Sequence, residues 1–143
     1  MSTIGQRLKT ESIFGELKTI GYFAGLHRCP WYDAIMDHPT VFRPEEHAVY
    51  SEEKMGKSTL FSSDRIMVGL NAFEVGQEHK LHAHAGMDKV YQVLEGTGIF
   101  ILEDREVPME PGHMLIAPED VPHGIRNTGK SRLLVLAILS PAP

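Results

Sequence analysis

The sequence predicts an all-β fold: a small barrel or sandwich of antiparallel strands, preceded by a partly helical N-terminal extension. From about Thr59 onward, short segments rich in β-branched and aromatic residues recur at intervals of about 8 to 12 residues. Turn sequences rich in Gly, Pro and Asn separate these segments, and no helical pattern lies between them. This arrangement excludes alternating strand and helix units and indicates an antiparallel sheet.

Residues 1–58 form the predicted extension, and residues 59–143 form the predicted barrel domain. Between Ile4 and Ile20, apolar residues recur at helical steps, which predicts one or two short helices. The aromatic segment "GYFAGLHRCPWYDAIMDHP" follows, and its prolines interrupt regular structure. We expect the extension to pack on the barrel or on a partner subunit.

Within the barrel domain, the predicted strands are "DRIMVGLNAF", "KLHAHA", "KVYQVL", "GIFILE", "REV", "HMLIA", "PHGIRN" and "RLLVLAIL". Side chains alternate between the two faces of a strand, so the apolar residues of one parity form the barrel wall. The residues predicted for that wall are Leu70, Phe73, Phe100, Leu102, Ile116, Leu133 and Val135.

Composition and charge exclude several classes of function. The chain has 143 residues, enough for one domain with a core, and a net charge of −5 without a run of Lys and Arg, so nucleic acid is not an expected partner. Cys29 is the only cysteine, so an intrachain disulfide cannot form. The sequence has no apolar run of membrane-spanning length and no secretory signal pattern. We therefore expect a cytoplasmic protein that binds no membrane.

A cluster of histidines in "HKLHAHA" predicts a metal site. On a strand, His82 and His84 point to the same face with Cα atoms about 6.6 Å apart, so both imidazoles can reach one divalent ion. His79 and His113 flank turns, and we expect both to be exposed to solvent.

The flanks of this cluster carry two sequence motifs. The first is Gly76, five residues, His82-x-His84, four residues, Lys89, six residues and Gly96. The second is Gly112, five residues, Pro118, one residue, Asp120, two residues, His123, three residues and Asn127. The pair closely resembles the two motifs of the cupin family, G-x5-H-x-H-x(3 or 4)-E-x6-G and G-x5-P-x-G-x2-H-x3-N.

The resemblance implies a jelly-roll barrel, a double-stranded β-helix, with a ligand pocket in its mouth. It also implies that His82, His84 and His123 bind a divalent transition metal such as Zn, Fe, Mn or Ni. The family has a glutamate where this chain has Lys89, and a glycine where it has Asp120. Asp tolerates the left-handed backbone of a turn, so the second change is a mild one.

Lys89 leaves three arrangements open. In the first, the metal stays on the three histidines and Lys89 turns toward the mouth to meet an anionic substrate. In the second, Asp88 supplies the missing carboxylate, although strand alternation places Asp88 and Lys89 on opposite faces. In the third, no metal is bound, and Lys89 acts as a desolvated amine or an anion anchor. Glu78, which has the same parity as His82, is a weaker candidate for the carboxylate.

A metal on three neutral imidazoles keeps its double positive charge, which favours an anionic substrate such as a carboxylate, enolate or keto acid. We expect a metal-dependent enzyme on such a small molecule, with Lys89 as anion anchor or general acid and Tyr91 beside it as a proton shuttle. The cupin resemblance allows oxygenase, isomerase, decarboxylase or lyase chemistry. The alternatives are a non-catalytic cupin that binds or senses a small molecule, and a barrel that serves assembly through its N-terminal region. A homodimer is the expected assembly.

Overall fold

The computed structural model describes residues 27–28 and 39–143, which fold into ten strands and one short 3-10 helix. The helix, Pro44–His47, precedes all strands but the first. The strands are β1 (His27–Arg28), β2 (Gly56–Ser62), β3 (Met67–Phe73), β4 (Glu78–His82), β5 (Asp88–Glu95), β6 (Gly98–Leu102), β7 (Glu106–Met109), β8 (Met114–Ala117), β9 (His123–Arg126) and β10 (Leu133–Ser140). The all-β prediction is confirmed for these residues.

Two sheets form the barrel. One has six strands in the order β1-β2-β3-β10-β5-β8, and the other has four in the order β4-β9-β6-β7. All pairs are antiparallel except β1 with β2, which is parallel. The chain crosses repeatedly from one sheet to the other, which is the connectivity of a jelly roll. Among the described residues, no helix is long and apolar enough to cross a membrane.

The strand β10 lies in the middle of the larger sheet, between β3 and β5. Its sequence "LLVLAILS" is almost continuously apolar because both of its faces are covered. Leu133 and Val135 face the interior between the two sheets, whereas Leu134 belongs to a second apolar cluster. Phe42 and Tyr50 pack against that second cluster, so part of the segment before β2 lies on the barrel.

Turns with left-handed backbone close the hairpins where the sequence carries glycine or aspartate. Gly96 has φ +79°, and a Cβ there would lie 2.2 Å from the carbonyl oxygen of Arg132, so a larger residue does not fit. Asp120 has φ 59°, which agrees with the prediction that aspartate tolerates this turn.

One expectation needs correction, and two remain predictions. The helices predicted between Ile4 and Ile20 lie outside the described residues. The division into an extension of residues 1–58 and a barrel domain of residues 59–143 stays a prediction, and β2, which begins at Gly56, runs across it. Ile116 does not line the barrel, because it is 69% exposed on the edge strand β8.

Candidate metal centre

One end of the barrel collects the polar residues that the two motifs supply. His82 ends β4 and lies opposite His123, which begins β9. His84 follows β4 in a loop, and the amide of Asp120 donates a hydrogen bond to its carbonyl oxygen at 2.9 Å. This bond ties the loop to the turn before β9 and thereby holds His84 near the other two histidines.

The three imidazoles converge as a metal site requires. Their ligand atoms lie within 4.8 Å of one another. The rings of His82 and His84 converge as expected, but strand alternation is not the cause. β4 ends at His82, so His84 lies in the loop that follows rather than on the same strand. The loop and the pairing of β4 with β9 bring the rings together instead.

Hydrogen bonds to the backbone orient two of these rings. Nδ1 of His82 lies 2.7 Å from the carbonyl oxygen of Lys80, and Nδ1 of His123 lies 2.8 Å from that of Val121. A carbonyl oxygen only accepts, so each Nδ1 carries the proton and each Nε2 presents a lone pair. Both Nε2 atoms are buried and have no hydrogen-bond partner in the described part of the chain. These two orphaned acceptors fit a divalent ion.

Burial keeps the triad neutral. It is the largest cause that lowers the pKa of His82 and of His123, and it lowers the pKa of His84 to about 4. Neutral imidazole is the form that binds metal. The three histidines could therefore hold a metal ion without first losing protons at neutral pH.

Lys89 lies inside this cluster and is only 5% exposed. Its Nζ is 3.3 Å from Nε2 of His84 and 4.8 Å from the ring centroid of Tyr91. Burial, and secondly the charge of Lys57, lower the pKa of Lys89 to about 8. At neutral pH its ammonium donates to Nε2 of His84. This nitrogen has one lone pair, so a metal ion that binds it must displace the hydrogen bond from Lys89.

Tyr91 lies beneath Lys89 and is fully buried. Its ring centroid is 5.6 Å from that of His123, and its hydroxyl has no hydrogen-bond partner among the described residues. Burial raises the pKa of this phenol, so the hydroxyl stays protonated. It can therefore donate a hydrogen bond to a ligand that enters the cluster.

Neither alternative carboxylate reaches the triad. Asp88 is exposed and its carboxylate accepts a hydrogen bond from the amide of Glu119 at 3.1 Å. Glu78 pairs with Arg126 and is not among the groups that converge on the triad. The centre formed by the described residues thus contains imidazoles and a lysine but no carboxylate from these two positions.

His79 was expected to be exposed to solvent, and this expectation is wrong. Its ring centroid lies 4.0 Å from that of His82, with the planes inclined by 33°. Burial, followed by the neighbouring His82 and lysines, lowers the pKa of His79 to about 3. His113 is exposed as expected, with its side chain 52% accessible.

A β-bulge explains how His79 reaches the centre. On β4 the step from His79 to His82 spans three residues, whereas their partners on β9, Ile125 and His123, are two apart. The extra residue brings His79 and His82 to one face, although their spacing in a regular strand separates them. Gly124 lies opposite the bulge, and a Cβ there would be 2.8 Å from the carbonyl oxygen of His79. Strand alternation does not predict such a bulge. The sequence feature that could have indicated it is Gly124 within "PHGIRN", because the close approach of His79 leaves no room for a Cβ there.

Two cavities open near the centre. The first, of about 180 Å³, is lined by His84, Lys89 and Lys57, together with Ser58, Thr59, Met67, Gly69, Leu70, Asn71, Met87, Ala137, Leu139 and Pro143. The second, of about 540 Å³, lies beside His79 and also includes Lys57. Lys57, which the sequence did not identify as a site residue, is therefore common to both cavities.

Asn127, the last residue of the second motif, has a structural role. Its side-chain amide donates to the carbonyl oxygens of Phe73, Glu74 and Ser131, and its oxygen accepts from the amide of Gly129. It is buried, and it fixes the turn after β9 rather than a ligand.

Comparison with known proteins identifies relatives for most of the described chain. A family model described as "Cupin domain" matches residues 69–139. The oxalate-binding protein of Thermotoga maritima is 30% identical over 93 residues, which cover 65% of this chain and 71% of that protein. The glucose-6-phosphate isomerase of Pyrococcus horikoshii is 35% identical over 129 residues, which cover 82% of this chain but only 64% of the isomerase.

Solved structures agree with these matches. The crystal structure of the protein TT1209 from Thermus thermophilus superposes with a TM-score of 0.68 at 38% sequence identity, and the match covers 72% of this chain and 98% of that one. An RmlC-like cupin from Desulfovibrio desulfuricans superposes with a TM-score of 0.66 at 26% identity, covering 73% of this chain and 98% of that one.

Proposed function

Because this chain belongs to the cupin family, we propose that it is a metal-dependent enzyme acting on a small anionic substrate, a carboxylate, enolate or keto acid. The observation that carries the proposal is the pair of buried Nε2 atoms of His82 and His123, which have no hydrogen-bond partner among the described residues. The ammonium of Lys89 lies 3.3 Å from Nε2 of His84, the third ring of the triad. Buried polar atoms without partners cost about 1–3 kcal/mol each, so the fold maintains them at the expense of stability. A bound ion gives them the partner they lack.

His82, His84 and His123 are the proposed ligands of a divalent transition metal such as Zn, Fe, Mn or Ni. When bound, the ion supplies Lewis-acid polarisation of a substrate oxygen. The three neutral rings leave its charge uncompensated, and Lys89 adds a further positive charge where the family motif has a carboxylate. The site therefore selects anions over neutral molecules.

Lys89 and Tyr91 are the proposed catalytic residues. The ammonium of Lys89 attracts the substrate's carboxylate, and its proton can move to a developing oxyanion. The tyrosine hydroxyl, protonated and without another partner in the described chain, donates a hydrogen bond to the same ligand. Both groups are held at the start of β5, where the packed interior fixes their positions.

The names of two relatives support an anionic ligand without deciding the reaction. Oxalate, the ligand named for the Thermotoga protein, is a small dianion of the proposed class. Glucose 6-phosphate, named for the Pyrococcus isomerase, also carries negative charge. The first name favours a second candidate function, a cupin that binds or senses its ligand without turning it over. Turnover of the bound anion separates the two candidates, since a sensor binds tightly and leaves the ligand unchanged.

Metal content tests the proposed metal site. Protein purified without added metal should contain close to one equivalent of a transition metal, and His82→Ala should lose it, whereas His113→Ala, which alters an exposed histidine outside the triad, should keep it. A metal content below about a tenth of an equivalent, unchanged in His82→Ala, would contradict the proposed metal site.

Lys89 has its own test in the metal-loaded protein. The substitution Lys89→Glu should raise metal affinity, because a carboxylate neutralises the ion, and should weaken oxalate binding by about tenfold or more, since the anion loses its cationic partner. Isothermal titration calorimetry with the metal and with oxalate measures both quantities. Unchanged oxalate affinity would remove Lys89 from the binding site.

A further inference from the structure

The second cavity lies between β4 and the segment that precedes β2, and the proposed function does not use it. It is lined by Val49, Ser51, Lys54, Met55, Gly56, Lys57, Glu78 and His79. A side-chain hydrogen bond holds its rim in place, because Nε2 of Gln77 donates to the carbonyl oxygen of Ser51 at 2.8 Å. The wall is therefore fastened to the start of β4.

Two residues connect this cavity with the metal centre. His79 lines the cavity, and its ring packs at 4.0 Å from that of His82, one of the proposed ligands. Lys57 lines both this cavity and the first one, where His84 and Lys89 lie. The second cavity is therefore adjacent to the metal centre.

The lining of the second cavity has unpaired positive charge. Lys54 and Lys57 are exposed, and neither forms an ion pair within residues 39–143. Glu78 is the one carboxylate among the lining residues, and Arg126 already binds it. Within the described chain the two lysines thus lack an anionic partner, which suits a ligand that supplies one.

The volumes of the two cavities also favour a ligand that extends into the second one. The first measures about 180 Å³, below the range of roughly 300–1,000 Å³ that is usual for small-molecule sites, whereas the second measures about 540 Å³. A small head group fits the first cavity, and any larger part of the substrate needs the second.

We propose that the second cavity binds a distal anionic group of the substrate, so that the preferred substrate is a dianion with one acidic group at the triad and the other at Lys54 and Lys57. The second group is a carboxylate or a phosphate, since both meet lysine through charged oxygens. This inference rests on the proposed function, because the head group is placed at the metal centre.

Acids of matched chain length test the inference. With the metal-loaded full-length protein, isothermal titration calorimetry compares adipate with hexanoate, which differ only in the second carboxylate. Adipate should bind about tenfold more tightly. The advantage should fall to about twofold or less in the double variant Lys54→Met, Lys57→Met, while Lys130→Met, which removes a lysine that lines neither cavity, should keep it. 6-Phosphooxyhexanoate against 6-hydroxyhexanoate makes the corresponding comparison for a phosphate, with the second group at a similar reach from the carboxylate.

The controls separate this inference from the proposed function. If oxalate binds and depends on His82, but adipate gains no affinity over hexanoate and 6-phosphooxyhexanoate gains none over 6-hydroxyhexanoate, the second cavity is not an anion subsite and the proposed function stands. An advantage that survives in the double variant also overturns the assignment to Lys54 and Lys57. If no anion binds the metal-loaded protein, both proposals fall.

Discussion

The two ends of the barrel interior both contain buried residues, but they are chemically opposite. On β5, Lys89, Tyr91 and Val93 face inward in succession, with exposures of 5%, 0% and 1%. On β9, His123 is followed by Ile125 on the same face. Each of these strands thus begins in the polar cluster and ends in the apolar core.

The difference shows how stability is distributed along the barrel. The apolar end contributes burial of about 25 cal/mol per Å² of apolar surface. At the polar end, Nε2 of His82, Nε2 of His123 and the hydroxyl of Tyr91 are buried without hydrogen-bond partners in the described chain. Each such atom costs about 1–3 kcal/mol. The apolar core therefore offsets a destabilised site, a common arrangement at functional sites.

The largest effect is expected at the apolar end. Phe73 is fully buried in the main core, and Phe73→Ala should lower the free energy of unfolding by about 3–5 kcal/mol through lost burial and a cavity. Urea unfolding of the metal-free protein measures this. Metal affinity of the folded variant should stay within about threefold of the wild type. A loss of metal affinity well above threefold would mean that packing in the apolar core also determines the geometry of the metal site.

At the polar end, Lys89→Met should stabilise the metal-free protein at pH 7 by about 2 kcal/mol, because it removes a buried cation next to imidazoles. The pKa of Lys89 is about 8 in the folded protein and 10.5 ordinarily, so both states carry the proton below pH 8 and the penalty is then complete.

The pH dependence gives the control for this substitution. Between pH 8 and 10.5 the folded state is the first to lose the proton, so the stability of the wild type rises relative to that of Lys89→Met, and above 10.5 the penalty is absent. Unfolding curves across this range measure the difference. A difference that does not shrink as pH rises would rule out a buried charge as its cause.

The next largest effect is expected from a substitution opposite the bulge in β4. Gly124→Ala would put a Cβ 2.8 Å from the carbonyl oxygen of His79, so the bulge must shift. We expect a loss of about 1 kcal/mol in unfolding free energy and a weaker metal site, since His82 lies at the end of this bulge. Urea unfolding and metal titration measure the two effects. Gly86→Ala offers a comparison, because a Cβ at Gly86 meets no atom within 4 Å, although its φ of +72° brings its own backbone cost.

The smallest effect concerns His79. Its ring packs against that of His82, and His79→Ala should weaken metal binding by about tenfold while leaving unfolding of the metal-free protein within about 0.5 kcal/mol. His79→Phe keeps a flat ring and should retain most of the affinity. Visible absorption of the cobalt-loaded variants reports the ligand geometry directly. Equal affinity and identical spectra in His79→Ala would show that the packing does not orient His82.

Much of the fold could be predicted from residue patterns, because strands and turns depend on local sequence. The segments around Val93, Ile125 and Val135 combine β-branched residues with turn signals on both sides, and each became a strand. Ile116 was misplaced because alternation gives two faces but not which face meets the core. At a sheet edge such as β8, a large apolar residue can remain exposed.

For the site, strand spacing identified His82 and His84, and the resemblance to the cupin motifs added His123 and identified Lys89 where the family has a carboxylate. How these side chains meet depends on the folded chain. The bulge added His79, the fold of β2 brought Lys57 to both cavities, and the turn before β9 held His84 in place. These arrangements depend on contacts between segments distant along the chain, and a local pattern of residues carries no information about such distances.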